Sequence, residues 1–160
     1  MNLTYVVQSV YNSRPMSPSF ATASFEGLYR TERFEQLFTT NETLGVEYTS
    51  SKTTFKLWSP CSAYVEVRLY DTGTPSDIAG GRDDYVSHRM NYTKGGIWKL
   101  EVNSDLKNKY YTYKVVNTLG ENEVMDPYAT ACGINGKRGM IYDKSETNPD
   151  GWEEVPQVWD

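Results

Sequence analysis

Most of the chain is a succession of short segments in which apolar and polar side chains alternate. In residues 53–58, Phe55 and Leu57 fall on one face, while Lys56 and Trp58 fall on the other. This period of two is typical of a β-strand with one buried face. The same period recurs at 64–70, 97–102 and 110–116, and weaker strands are predicted at 87–92, near 124 and at 139–142.

Turn-forming residues separate these segments. Pro60 ends the first of them, because proline lacks the backbone donor that a strand needs. A long polar loop with Gly80-Gly81 occupies residues 71–84, and a turn is predicted at Leu119-Gly120-Glu121-Asn122. Six to eight short strands with such turns and almost no helix indicate an all-β fold, an antiparallel β-sandwich of two packed sheets.

Residues 1–40 follow a different pattern and are predicted to form an irregular N-terminal arm or linker. Thr31 is a candidate N-cap for a short helix over Glu32–Phe38, with Phe34, Leu37 and Phe38 on one face. So short a helix is unstable alone in water, so we expect the arm to dock on the sandwich or on another domain. The sandwich module is assigned to 41–145 and a junction segment to 146–160.

Charge and hydropathy narrow the range of partners. The 160 residues carry a net charge of -5 and a pI near 5.0, which disfavours nucleic acid and anionic membranes but admits a neutral polysaccharide. No stretch approaches the ~20 apolar residues of a membrane helix. The first residues lack the basic and apolar regions of a signal peptide, so a cytoplasmic location is expected.

The chain offers no convincing metal site, cofactor site or catalytic site. Cys61 and Cys132 are expected to be free thiols, although a bridge between them stays open, and their spacing fits no zinc motif. Ser87 and His88 are neighbours on one strand and therefore point to opposite faces, so His88 is expected to be a surface residue. Four loop aspartates lack the spacing of an EF-hand: Asp71, Asp77, Asp83 and Asp84.

An ordered series of motifs resembles a known family. In chain order these motifs are Leu44-Gly45, Lys52–Pro60, Gly96-Ile97-Trp98, Lys109–Val115, Asp126-Pro127-Tyr128-Ala129, Gly133–Met140 and Thr147–Glu153. In this order they resemble the module that precedes the catalytic barrel of type I pullulanases in glycoside hydrolase family 13. The module itself resembles carbohydrate-binding module family 48, which implies an immunoglobulin-like sandwich.

The resemblance implies a parent enzyme that hydrolyses α-1,6-glucosidic bonds in pullulan, starch or glycogen. Its nucleophile and its acid/base carboxylate would lie on a barrel of roughly 250 residues or more, expected beyond Asp160. This chain is therefore expected to be non-catalytic, to support the barrel of the same parent chain and to shape the approach of an α-glucan. The alternative is a free-standing α-glucan-binding or regulatory module.

The resemblance also implies candidate site residues. Glycan-binding members stack two Trp side chains on the sugar and add contacts from a Lys and an Asn. Lys114 falls at the Lys position and Asn135 near the Asn position, but both Trp positions hold other residues, Asp71-Thr72-Gly73 and Val124-Met125. The loss of both rings argues against strong glycan binding there.

Three tryptophans are predicted to contact the downstream barrel. Trp152 and Trp159 follow the last predicted strand, and Trp58 lies on the strand face opposite Phe55 and Leu57. For Trp58 a position between the two sheets is the alternative.

Overall fold

The structure, a computed structural model, describes residues 4–17, 19–22, 27–149 and 151. Its strands are β1 (Thr4–Val7), β2 (Val10–Tyr11), β3 (Arg14–Pro15), β4 (Ser19–Thr22), β5 (Gly45–Thr49), β6 (Lys52–Trp58), β7 (Tyr64–Tyr70), β8 (Tyr85–Arg89), β9 (Asn91–Tyr92), β10 (Ile97–Val102), β11 (Tyr110–Asn117), β12 (Gly120–Val124) and β13 (Gly139–Met140). Helix α1 (Glu32–Phe38) precedes β5, and 3₁₀ turns cover Leu28–Arg30, Ile134–Gly136 and Lys144–Glu146.

Two antiparallel sheets form the sandwich. The small sheet has the order β5-β6-β10-β9, and the large sheet has the order β12-β11-β7-β8. Strand β13 extends the large sheet by pairing with the start of β11, at Tyr110 and Tyr111. The predicted antiparallel β-sandwich is confirmed. In addition, β1 pairs with β4 and β2 with β3, as two small hairpin-like sheets in the N-terminal arm.

The chain passes from one sheet to the other at Met90. Strand β8 pairs with β7 in the large sheet, while β9 pairs with β10 in the small sheet. Met90 lies between them, 1% exposed, and its backbone N–H donates to the Val65 carbonyl at 2.9 Å. The segment predicted as one weak strand over 87–92 is therefore two strands, divided where the chain changes sheet.

The core lies between the sheets and follows the predicted alternation. Phe55 and Leu57 are buried inside, whereas Trp58 is 38% exposed on the outer side of β6. The alternative position for Trp58 between the sheets is therefore wrong. The inner faces of the other long strands contribute Val65, Val67, Trp98, Leu100, Val102, Tyr111, Tyr113 and Val115 to the same packed cluster.

Helix α1 has the predicted limits and the predicted cap. The Thr31 hydroxyl accepts a hydrogen bond from the Phe34 N–H at 3.2 Å. Phe34 is buried and Phe38 half-buried, whereas Leu37, predicted on the same face, is 49% exposed. With 3.6 residues per turn, the buried stripe runs through Phe34 and Phe38 and leaves Leu37 beyond its edge.

The turn between β11 and β12 lies earlier than predicted. Asn117 pairs with Gly120, so Thr118 and Leu119 form a two-residue loop and β12 already begins at Gly120. The Asn117 side-chain oxygen accepts from the Leu119 N–H at 2.8 Å. An asparagine that bonds the backbone two residues ahead starts the turn, and this local signal outweighs the later Gly-Glu-Asn sequence.

A buried carboxylate holds the end of the large sheet. Asp126 is 0% exposed. It accepts hydrogen bonds from the Tyr111 hydroxyl at 2.7 Å, from the Tyr128 N–H at 2.8 Å and from the Tyr113 hydroxyl at 3.4 Å. Burial raises the pKa of Asp126, and the three donors counteract this shift only in part. The carboxylate thus satisfies two tyrosine hydroxyls that have no access to water.

Replacing Asp126 should therefore destabilise the protein strongly. In Asp126→Ala, buried donors lose their acceptor, and we expect the free energy of unfolding in urea to fall by about 2–4 kcal/mol. Asp71→Ala is the matched control, because Asp71 is exposed and pairs only with Lys109, so its loss should stay below about 0.5 kcal/mol. Equal losses in the two variants would contradict this role of Asp126.

Candidate functional site

The outer face of the large sheet carries polar and charged side chains that are mostly withdrawn from water. Along β7, Glu66, Arg68 and Tyr70 point away from the core, opposite Val65 and Val67. Even so, Glu66 is only 8% exposed and Tyr70 only 3%. Buried polar groups need partners, and these side chains find them in one another.

Glu123 of β12 is the centre of this network. Its carboxylate accepts from the Thr112 hydroxyl at 2.6 Å, from the Tyr70 hydroxyl, and from the Arg68 guanidinium at 2.5 Å. Burial alone would raise the pKa of Glu123, but these hydrogen bonds and the Arg68 charge outweigh it and lower the pKa. The carboxylate is therefore held in its ionised form and is engaged on several sides.

Glu66 shares Arg68 with Glu123. It accepts from the Tyr64 hydroxyl at 2.6 Å and from the Arg68 Nε at 3.1 Å. Burial again acts to raise the pKa of Glu66, and the hydrogen bonds together with the Arg68 charge lower it overall. One arginine thus joins the carboxylates of β7 and β12, the two strands on either side of β11, into a continuous network.

Arg138 fastens the long loop over this face. Its guanidinium lies 3.7 Å from the centre of the Tyr70 ring, a cation–π contact. It donates to the carbonyls of Thr72 and Arg82 at 2.8 and 2.9 Å, and to Asp83 at 2.5 Å. Arg138 is 4% exposed, so its donors serve the loop and leave little for a ligand.

Three of the four aspartates of the same loop are tied to basic partners. Three ion pairs connect the loop to the later part of the chain: Asp71–Lys109, Asp77–Lys137 and Asp83–Arg138. Across the residues that the structure describes, no group of three or more His, Cys, Asp or Glu is arranged to hold a metal. The loop carboxylates therefore act as anchors of the loop.

The structure does not bring Lys114 and Asn135 together. Lys114 pairs across the sheet with Glu66 and makes an ion pair with Glu121 at 2.9 Å. Asn135 is exposed in the 3₁₀ turn beside Gly73, near the start of β11. Four residues of strand separate the two places, which is about 14 Å.

Close backbone packing restricts Gly73, the last of the three residues at the first Trp position. The Ile134 N–H donates to the Gly73 carbonyl at 3.2 Å. A Cβ built on Gly73 would lie 2.9 Å from the Gly133 Cα and 2.4 Å from the Tyr110 ring. The two loops approach so closely that only glycine fits at position 73, and a stacking ring has no room at that residue.

Trp58 joins the N-terminal arm to the sandwich. Its indole N–H donates to the Phe38 carbonyl at 2.9 Å and to the Gly95 carbonyl at 3.1 Å. The Phe34 ring packs edge-on against it, with centroids 6.4 Å apart. The expected docking of the arm on the sandwich is thus confirmed for α1. Contact between Trp58 and a barrel stays a prediction, and Trp152 and Trp159 lie outside the described residues.

Two cysteines and one histidine are the remaining side chains with reactive chemistry. Cys61 and Cys132 are free and exposed, as expected. His88 is half-buried on β8, across from Val67, so the expected surface position is only partly correct. Within the described part of the chain, no helix has both the length and the apolar character needed to cross a membrane.

Sequence reasoning assigned no role to Glu123 or Arg138. For Glu123 a signal existed, since Glu121 and Glu123 alternate on β12 and face the Lys114 and Arg68 side of the sheet. For Arg138 no local signal existed, because its partners are more than fifty residues away in sequence.

Comparisons with known proteins agree with this architecture. The model of the carbohydrate-binding module 48 family (isoamylase N-terminal domain) matches residues 43–129. A pullulanase of Klebsiella aerogenes is 27% identical over 136 residues, and one of Bacillus subtilis is 29% identical over 112 residues. The structure of the Paenibacillus barengoltzii pullulanase in complex with maltohexaose and α-cyclodextrin is 34% identical, with a TM-score of 0.69.

The matches cover most of this chain but little of the relatives. They span 79% of the chain and 11% of the K. aerogenes protein, and 70% of the chain and 14% of the B. subtilis protein. The structural match spans 78% of this chain and 18% of the P. barengoltzii chain. The similarity is thus confined to one module of much longer proteins.

The outer-face network makes stability depend on pH. Because the folded-state pKa values of Glu66 and Glu123 lie below the ordinary 4.5, their ionised forms stabilise the fold above that pH. This contribution is lost as the pH falls from 4.5 through the lower folded-state pKa values of the two groups. Glu123→Gln should lower the free energy of unfolding at neutral pH and flatten its decline in acid, as measured by urea unfolding across that range.

Glu121→Gln is the matched control, since Glu121 lies on the same strand and is largely exposed. It should keep the acid profile of the unmodified protein. An unchanged acid profile in Glu123→Gln would contradict the network's role.

Proposed function

Because the chain belongs to the carbohydrate-binding module 48 family, we propose that it serves as the non-catalytic N-terminal module of a pullulanase-type α-glucan debranching enzyme. The parent enzyme hydrolyses α-1,6-glucosidic bonds in pullulan, starch or glycogen. The observation that carries this proposal is the family match over residues 43–129, which covers both sheets of the sandwich. The pullulanase relatives support the choice of parent enzyme.

The carboxylates of the described residues support a non-catalytic role. A glycosidase needs one carboxyl group with a raised pKa and a second one nearby, both facing the substrate. The pKa of Asp126 is raised by burial, but Asp126 is 0% exposed and contacts only protein donors. Glu66 and Glu123 are engaged by Arg68 and have lowered pKa values. None of these three carboxylates is therefore suited to protonate a glycosidic oxygen.

The proposed partner is the catalytic barrel of the same parent chain. The exposed part of Trp58, next to α1, together with Trp152 and Trp159, is proposed to contact that barrel and to support it. The partly exposed ring of Trp58 is suited to this role, since a large aromatic ring buries much apolar area on contact.

An α-glucan is the proposed ligand class. The P. barengoltzii relative is in complex with maltohexaose and α-cyclodextrin, which supports a glucan for this chain's parent enzyme. Lys114 on the outer face of the large sheet and Asn135 in the 3₁₀ turn beside Gly73 stay candidate contacts. In this proposal the outer face of the large sheet binds a glucan only weakly. Lys114 is engaged by Glu121, and both Trp rings are absent.

The chain alone should not hydrolyse pullulan. Purified and folded, it is expected to release no reducing sugar above the rate of the enzyme-free control, while a complete pullulanase in a parallel assay does. Release of reducing sugar that a single carboxylate substitution abolishes would refute the non-catalytic role.

Reading the source gene beyond the codon for Asp160 tests the proposed parent enzyme. An open frame that codes for a barrel with paired carboxylates is expected. A stop codon at that position would instead favour the alternative, a free-standing α-glucan-binding or regulatory module.

A further inference from the structure

Two surface depressions meet at Leu44 and Tyr128. The first, of about 560 Å³, lies between α1 and Trp58. The second, of about 310 Å³, lies between β5 and the segment that follows β13. Leu44 and Tyr128 line both of them, so the two depressions adjoin at these residues, and together they are called here the Tyr128 groove.

The position of Tyr128 is fixed by its backbone. Its N–H donates to the buried Asp126 carboxylate at 2.8 Å. Gly45 has a φ of 94°, and a Cβ built on it would lie 3.0 Å from the Tyr128 Cβ. Two of the sequence motifs, Leu44-Gly45 and Asp126–Ala129, therefore meet here, and their contact presents a ring that is 50% exposed.

The groove combines aromatic surface with polar groups. Trp58 and Phe38 line one side of Tyr128, and Tyr48 and Tyr142 line the other. Hydroxyl and carboxylate groups accompany them: Thr40, Glu42, Thr43, Thr130 and Asp143. A pyranose ring has an apolar face of C–H groups and a rim of hydroxyls, so aromatic rings flanked by hydrogen-bonding groups match it.

Several of these side chains are held in place before any ligand arrives. The Tyr142 hydroxyl donates to the Thr130 hydroxyl at 3.0 Å, and the Tyr48 hydroxyl donates to Asp105 at 2.7 Å. The Trp58 indole is fixed by its two carbonyl acceptors. Prior ordering of the lining lowers the entropic cost of binding.

The charges of the groove select against anions. Its lining contains four carboxylates and one lysine: Glu35, Glu42, Glu47, Asp143 and Lys144. This excess of negative charge disfavours nucleic acid, phosphorylated sugars and acidic peptides. Carboxylates accept hydrogen bonds from neutral hydroxyl groups, so a neutral polyhydroxyl ligand suits the lining.

We propose that the Tyr128 groove binds a linear α-glucan segment, with the Tyr128 ring stacked on one glucose unit. The site is distinct from the outer face of the large sheet, where Lys114 lies. The ligand class rests on the proposed function, whereas the position of the site rests on the groove itself. A glucan held beside Trp58 would lie at the proposed border with the barrel.

The test measures the binding of maltohexaose to the whole chain by calorimetry. Tyr128→Ala removes the central ring and should weaken binding about tenfold or more. Tyr85→Ala is the matched control, because Tyr85 is 46% exposed and lies over Arg68 on the outer face of the large sheet. It should leave the affinity within about twofold. Thermal unfolding curves show whether each variant is folded.

A second measurement needs no variant. On titration of the unmodified chain with maltohexaose, amide nitrogen–proton NMR signals of Leu44, Tyr128 and Thr130 should shift, while those of Tyr85–Arg89 should not. This spectrum decides the question even if Tyr128→Ala fails to fold.

Two results would overturn the inference. Loss of binding in Tyr85→Ala but not in Tyr128→Ala, with shifts confined to the outer face, would move the glucan to that face. Absence of any binding at millimolar maltohexaose would remove the site altogether. Neither result bears on the debranching parent enzyme, which the gene sequence beyond Asp160 tests separately.

Discussion

The buried carboxylate of Asp126 is the contact on which the arrangement of the two sheets depends. It accepts from Tyr111 and Tyr113 of the large sheet and from the backbone of Tyr128, and Tyr128 in turn packs on Gly45 at the start of the small sheet. One residue thus satisfies the polar atoms of two core tyrosines and sets the path of the chain that leaves the large sheet. Without it, two large rings would bury their hydroxyls unpaired, which is costly in a sandwich of this size.

Asp126 and the outer-face network respond to acid in opposite ways. The raised pKa of Asp126 means that its neutral form is favoured in the folded state, so its contribution is largest at low pH and declines as pH rises through the folded-state pKa. Glu66 and Glu123, with lowered pKa values, stabilise the fold above the ordinary glutamate value of 4.5. Acid therefore weakens the outer-face network of Glu66 and Glu123, whereas the contribution of Asp126 is retained at low pH.

The sequence predicted the parts of the fold that local physics controls. Alternation placed Phe55 and Leu57 inside and Trp58 outside, and the Thr31 cap located α1, because side-chain direction and capping depend on near neighbours. The sheet change at Met90 was missed, since alternation continues through it. Arg138 was also missed, because its partners lie on a loop that only the tertiary fold brings close. For the same reason the sequence did not predict the Tyr128 groove, although its two central motifs, Leu44-Gly45 and Asp126–Ala129, are part of the family resemblance.

The distribution of aromatic rings gives this module a different binding surface from the one that its family resemblance implies. The contact between Gly73 and Gly133 leaves no room for a ring at position 73, and Arg68 and Arg138 each cover one face of Tyr85 and Tyr70. A ring covered by a guanidinium has its apolar face blocked for a sugar. Tyr128 stands 50% exposed between two depressions, with its backbone anchored on Asp126. Any stacking on a glucan is therefore more favourable along the Tyr128 groove than over the charged sheet.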